Sequence, residues 1–386
     1  MTSRSTNRAG GVLVTSVLWM TGFFLMLAAF CGAYAQRPDP AKAATFGYVA
    51  NVQDDTVSVI DTARNAVVAT IPVGGFPDGV ATTPDGTRAY VTNSFDSNVS
   101  VIDTASNTVV ATIPVGLAPS TIAITPGTDS FEQDGRRHQP LAYVPNGADN
   151  TVSVIDTTSN TIVATILVGQ DPSGVAVTTD GTQAYVTNQL EDSVSVIDTA
   201  GNKVVATIPG FIIPIGVAIT PDGAQPYERD DRRKQSFAYV TNNVPTIDGS
   251  NFPASAVSVI DTASNKVAAT IPVGQDPNGV AITPDGTRAY VANQRDGTAS
   301  VIDTAHNKVV ATIRVGAGPA GVAIPSDGTN PSMHNAPPRQ PLAYVTNFVD
   351  NTVSVINTAS NKVVATIRVG NGPFAVAFAT VTPVAP

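Results

Sequence analysis

From Phe46 onward the apolar residues fall in short runs, separated by small clusters of Asp, Asn, Gly, Pro and Ser. Over residues 278–316 the runs are GVAIT, RAYVAN, TASVIDT and KVVATIRV, and the gaps hold Pro-Asp-Gly, Gln-Arg-Asp-Gly and Ala-His-Asn. Runs this short, rich in Val, Ile, Thr and Tyr and bounded by turn formers, predict β-strands. Four of them joined by three tight turns predict one four-stranded antiparallel sheet.

The unit recurs. A Tyr-Val pair starts at Tyr48, Tyr90, Tyr143, Tyr185, Tyr239, Tyr290 and Tyr344, and a Val-Ile-Asp/Asn element ends at Asp61, Asp103, Asp156, Asp198, Asp261, Asp303 and Asn357. Both markers occur seven times, and the basic step is 42 residues, as from Tyr48 to Tyr90; this is a propeller-blade spacing. A lone sheet that is apolar on both faces cannot bury them, whereas seven arranged radially bury each face against a neighbour. The predicted fold is all-β: a seven-bladed β-propeller of four-stranded antiparallel blades. The chain enters on a Tyr-Val run without the preceding GVAIT run, and residues 373–380 supply such a run with no Tyr-Val partner after it. The ring is therefore predicted to close by the C-terminal strand joining the N-terminal blade, with residues 374–379 innermost and residues 47–73 outside them.

The strings AYVTN (89–93, 184–188), YVTN (239–242, 344–347) and TVSVIDT (151–157) resemble the YVTN β-propeller repeat family, over nearly the whole chain after residue 46. Departures are Tyr-Val-Ala-Asn at Tyr48 and Tyr290, Tyr-Val-Pro-Asn at Tyr143, and Asn357 in place of Asp. The resemblance implies an extracytoplasmic seven-bladed propeller of the surface-layer or periplasmic type. It implies no single reaction, since propellers of similar shape include lactonases and haem d1-binding proteins.

Residues 1–35 differ from the rest. Arg4 and Arg8 precede an apolar stretch over residues 12–30, and Ala33-Tyr34-Ala35 gives a small-x-small pattern before Gln36, the signature of a secretory signal peptide. An uncleaved anchor is the alternative. The expected organisation is signal peptide 1–35, linker 36–46, propeller 47–380 and C-terminal tail 381–386. Cys31 and Trp19 are the only residues of their kinds, so cleavage would leave no disulfide, thiolate nucleophile or cysteine metal site. Cleavage removes two Arg and no acid, taking the formal charge from −9 to −11. That balance opposes nucleic-acid binding. The expectation is a monomer that is periplasmic, secreted or at the cell surface, with no stable membrane span after cleavage.

Three insertions (127–140, 222–236, 326–341) fall between inner and Tyr-Val strands, and strand alternation puts them on one face of the disc; a fourth (243–255) should rise on the other. The first two carry Arg136, Arg137, Arg232, Arg233 and Lys234, candidates for an anionic partner because guanidinium forks suit phosphate and carboxylate. The opposite face should carry acids in the turns after the Tyr-Val strands: Asp54, Asp55, Asp96, Asp149, Glu191, Asp192, Asp296 and Asp350. Of these, Asp54, Asp96, Asp149, Asp192, Asp296 and Asp350 are the candidate ligands for Ca²⁺ or another divalent cation. Their plainer reading is hairpin chemistry. His138, His306 and His334 lack metal-ligand spacing, and no catalytic motif is present. The expectation is a binding scaffold for a protein or envelope glycan, with no cofactor and no catalytic residues. The alternative is a propeller enzyme of lactonase or haem d1-associated type, with carboxylates at the channel mouth.

Overall fold

The computed structural model describes residues 44–127, 139–222, 236–243, 255–325 and 341–381. Ala43–Thr382 form one compact unit. Within it the described residues form seven four-stranded antiparallel sheets, numbered here as blades 1–7 in chain order. Six blades take their strands consecutively. Blade 2, for example, runs from inner to outer edge through Pro77–Thr82, Arg88–Asn93, Asn98–Asp103 and Thr108–Pro114. Blade 1 is composite: Pro373–Val381 is its inner strand, paired with Ala44–Asn51, followed by Thr56–Asp61 and Ala66–Pro72. The predicted closure by the C-terminal strand is the observed one.

The inner strands touch in sequence all the way round, from blade 1 through blade 7 and back, and so enclose the axis. Seven core clusters each straddle two successive blades. In one, Tyr48, Val57 and Val59 of blade 1 meet Val80, Ala89, Val91 and Ile102 of blade 2. Second and third strands are buried on both faces, and burying each such Val or Ile contributes about 1.5–3 kcal/mol. Outer strands are mostly exposed or half-buried and bury one Ile each, as Ile71 in Ala66–Pro72.

The repeated polar residues hold this core together. Six of the seven Tyr residues cross to the next blade and donate the hydroxyl to an Asn in the turn between third and outer strands: Tyr90 to Asn160 (2.6 Å), Tyr143 to Asn202 (3.0 Å), Tyr185 to Asn265 (2.7 Å), Tyr239 to Asn307 (2.9 Å), Tyr290 to Asn361 (2.9 Å) and Tyr48 to Asn107 (3.3 Å). Those Asn residues adopt positive φ, which short amide side chains tolerate best after Gly. The Thr of the Tyr-Val-Thr-Asn strings links neighbouring inner strands: Thr187 Oγ1 accepts from Gly174 N (2.7 Å) and donates to Ile215 O of the next blade (2.7 Å). The Asn three residues after each repeat Tyr is buried and donates to a Ser hydroxyl on the third strand, as Asn146 Nδ2 does to Ser153 (2.9 Å), with Thr151 as a second acceptor (3.0 Å). Inner strands pack so closely that a Cβ built at Gly174 would lie 2.2 Å from Ile215 O.

Candidate functional site

Alternating strand direction puts two kinds of segment on one face of the disc: the turns between second and third strands, and the crossovers that lead from each outer strand to the next inner strand. We call this the crossover face. Each crossover ends with a residue at positive φ just before a proline: Phe76, Ala118, Asp171, Ile213, Asp276, Gly318 and Gly372. For β-branched Ile213 that conformation is strained.

The acids of this face hold those crossovers in place. Asp96 Oδ2 accepts from Gly75 N (2.7 Å), Asp149 Oδ2 from Leu117 N (2.7 Å), Glu191 Oε2 from Gln170 N (3.1 Å), Asp296 Oδ2 from Gln275 N (2.8 Å), Asp350 Oδ2 from Ala317 N (2.7 Å) and Asp54 Oδ2 from Asn371 N (2.6 Å). The following turn position grips the crossover leaving its own blade: Asp55 accepts from Phe76 N (2.9 Å) and Asp192 from Ile213 N (2.8 Å). In blade 4 it is thus Glu191 that stands in the role of Asp54 and Asp96, and Asp192 belongs to the other set.

The six cation candidates are committed to six different crossovers, and none is drawn to another. Among the described residues no three His, Cys, Asp or Glu side chains form a metal-holding group. His306 is on the opposite face, its Nδ1 3.3 Å from Asp303 Oδ1. His138, His334, Arg136, Arg137, Arg232, Arg233 and Lys234 lie outside the described residues.

One residue escaped the sequence reading. Asp78 is the first inner-strand residue after Pro77, a position held elsewhere by Ser120, Ser173, Ile215, Asn278, Ala320 and Phe374. Its side chain is partly accessible, yet protein surrounds it at the axis, and burial pushes its carboxyl up to about 7. Water reaching it screens part of that penalty. The signal in the sequence was a lone acid in an otherwise uncharged set.

The crossover face also exposes large apolar side chains. Phe95 is 84% exposed, Leu190 72%, Val349 67%, Leu117 56% and Phe76 51%. Phe95, Leu190 and Val349 occupy one repeat position, second in the turn, where blades 1, 3 and 6 carry Gln53, Ala148 and Arg295. The fold therefore does not require an apolar residue there. Phe76 and Phe95 sit on backbone segments that are hydrogen-bonded to each other (Ser94 N to Phe76 O, 2.9 Å; Phe95 N to Gly75 O, 3.2 Å). Around them Asp54, Asp55, Asp96, Asp149, Glu191 and Asp192 meet no Lys or Arg among the described residues of this face in blades 1–4. Arg295, Arg314 and Arg368 belong to blades 6 and 7. Two shallow grooves of mixed lining, 540 and 430 Å³, open between the outer parts of blades 5 and 6 and of blades 6 and 7. Their linings are repeat equivalents (Asp296, Thr298, Ser300; Asp350, Thr352, Ser354), so they belong to the blade junction and not to one site.

Residues 25–126 match the model of the YNCE-like beta-propeller family. No curated protein matches the chain. Among solved structures it is similar to Kuenenia stuttgartiensis hydrazine synthase, at 23% identity and a TM-score of 0.63, covering 81% of this chain and 92% of that one. It is also similar to dihydro-heme d1 dehydrogenase NirN in complex with DHE, at 15% identity and a TM-score of 0.57, covering 89% and 76%. Likeness at these identities is a likeness of fold. The chain is a seven-bladed β-propeller.

Proposed function

We propose that the protein is an extracytoplasmic propeller of the YVTN repeat type that serves as a binding scaffold, with the crossover face of blades 1–4 receiving a protein or envelope-glycan partner. The observation that carries this reading is the group of exposed Phe76, Phe95, Leu117 and Leu190 set among acids. Exposed apolar anchors with a charged surround are the composition of an interface core and rim. The test is cross-linking of the protein within its own envelope fraction. A discrete adduct should form with wild type and fade at least about tenfold in a Phe95→Ser, Leu190→Ser double variant. An adduct indifferent to those substitutions would sink the reading.

Asp78 favours a second reading. A carboxyl titrating near neutrality beside the axis suits a general base, which fits an enzyme of lactonase or haem d1-associated type. Lactone hydrolysis lost in Asp78→Asn, or a melting shift on adding haem or Ca²⁺, would favour it over the scaffold.

A further inference from the structure

The seven outer strands are equivalent in place but differ in how they end. Ala66–Pro72, Thr108–Pro114, Lys203–Pro209 and Lys266–Pro272 end in Pro, while Lys308–Arg314 and Lys362–Arg368 end in Arg. Blade 3 alone breaks the pattern, because Thr161–Leu167 (TIVATIL) carries no charge and no proline. Leu167 is 74% exposed, Val163 51% and Ile162 41%. Edge strands are normally blunted by charge, proline or a bulge. The bulge is common to all seven blades, falling in blade 3 between the pairs Val154↔Ala164 and Ile155↔Ile162. It does not distinguish this edge from the rest.

Hydrogen-bond direction shows what the terminal residue does. Val168 N donates inward to Asn150 O (3.0 Å), and Leu167 stands opposite Thr151 in the ladder. Groups alternate along a strand, so the Leu167 N–H and C=O point outward from the sheet, as do those of Thr165. In four blades proline removes that outward donor at no cost to the blade, and in two an Arg guards it. In blade 3 the donor remains.

We infer that this edge pairs with the same edge of a second copy of the chain, antiparallel, about a two-fold axis at Ile166. Thr165 of each copy then faces Leu167 of the other, and the outward N–H and C=O groups of both residues close reciprocal hydrogen bonds. An uncharged strand brings no like charges together at the contact, although each molecule is acidic overall. The side chains of Leu167 and Thr165 share one face of the enlarged sheet and form a cross-strand pair. With one unguarded edge per described ring, an isologous contact closes at two copies and does not propagate. The contact is small and so reversible.

Sedimentation velocity on the full-length chain tests this, comparing wild type with Leu167→Pro and Leu167→Arg over a concentration series. Both substitutions copy what other blades carry at this position, and unchanged circular dichroism and melting would verify the fold. Wild type should show a concentration-dependent dimer that weakens about tenfold or more in either variant, since Pro removes two backbone hydrogen bonds. Added salt should strengthen the dimer by screening two acidic bodies. Pro114→Leu unguards the outer strand of blade 2 and should push association beyond two copies. Identical sedimentation of wild type and Leu167→Pro at every concentration would overturn the proposal. So would a wild type that takes up an added extended peptide at this edge while remaining monomeric.

Discussion

Six blade junctions are alike, and the one between blades 7 and 1 is not. At the six, a buried Tyr donates to the left-handed Asn of the next blade. At the seventh, the corresponding Asn65 Oδ1 is buried without a partner, and the Tyr344 ring lies 4.7 Å from that of Phe378. Phe378 stands where the other inner strands carry Thr82, Ile124, Val177, Ile219, Ile282 and Ile324. It fits because its cross-strand partner is Gly47, where the other blades have Ala; a Cβ on Gly47 would sit 2.9 Å from the Phe378 ring. The inner strand here is also longer, nine residues against six in blade 2. Its added rungs pair Ala44 with Val381 and Thr45 with Thr380. Junctions within a continuous chain suffice with one polar latch. The composite blade, whose inner strand has no covalent link to its neighbour Ala44–Asn51, uses a longer ladder and an aromatic plug.

The hardest way to break this contrast is to end the chain at Gly372. Blade 1 then lacks its inner strand and the ring cannot close, a loss expected to exceed the ~5–15 kcal/mol that stabilises an ordinary domain. Cooperative melting should vanish; a truncated chain melting near the full-length temperature would refute the role given to closure. Phe378→Ala should cost about 2–4 kcal/mol in denaturant unfolding. Gly47→Ala should be destabilising alone but far less so in the Phe378→Ala background, a coupling that a double-mutant cycle would read.

Asp78 sharpens the comparison from the next blade, because its strand packs against the inner strand of blade 1. The unfolded carboxyl titrates near 4, whereas burial raises the folded one to about 7. Between those values the folded state holds a proton that the unfolded chain has lost. This contribution therefore favours folding most at low pH and declines as pH rises toward 7. Asp78→Asn should accordingly raise stability at pH 8, by about 1–2 kcal/mol after screening by water, and change little at pH 4. Urea midpoints at the two pH values would show it, and equal effects at both would refute it. The smallest effect is the most specific. Tyr185→Phe should cost about 1 kcal/mol by orphaning Asn265, while Tyr344→Phe should cost almost nothing, because the described structure gives its junction no such bond.

Strand count and turn chemistry were legible because each is written seven times and each is local: Pro-Asp-Gly at 84–86 needs no distant partner to be read as a turn. Closure was legible from the bookkeeping of the repeat, since the strand lacking before Tyr48 is the one left over at residues 373–380. The ring of acids was legible as a ring. Its hydrogen bonds to the crossovers were not, because they depend on which backbone N–H arrives from another blade. Tyr90 and Asn160 were both visible as repeated residues 70 positions apart, but only the radial packing joins them. Asp78 was hidden by its setting, a short apolar run that reads as filler, and so was the swap of Gly47 with Phe378, whose logic is volume across a ladder.

The composite blade has a consequence for how the chain is made. Thr45 and Thr380, within hydrogen-bonding distance in the finished ring, are 335 positions apart. Synthesis runs from the N-terminus, so Ala44–Asn51 waits with one edge uncovered until Pro373–Val381 has left the ribosome. Any product cut short before that point keeps a raw edge, open to chaperones and proteases, while the finished chain seals its own.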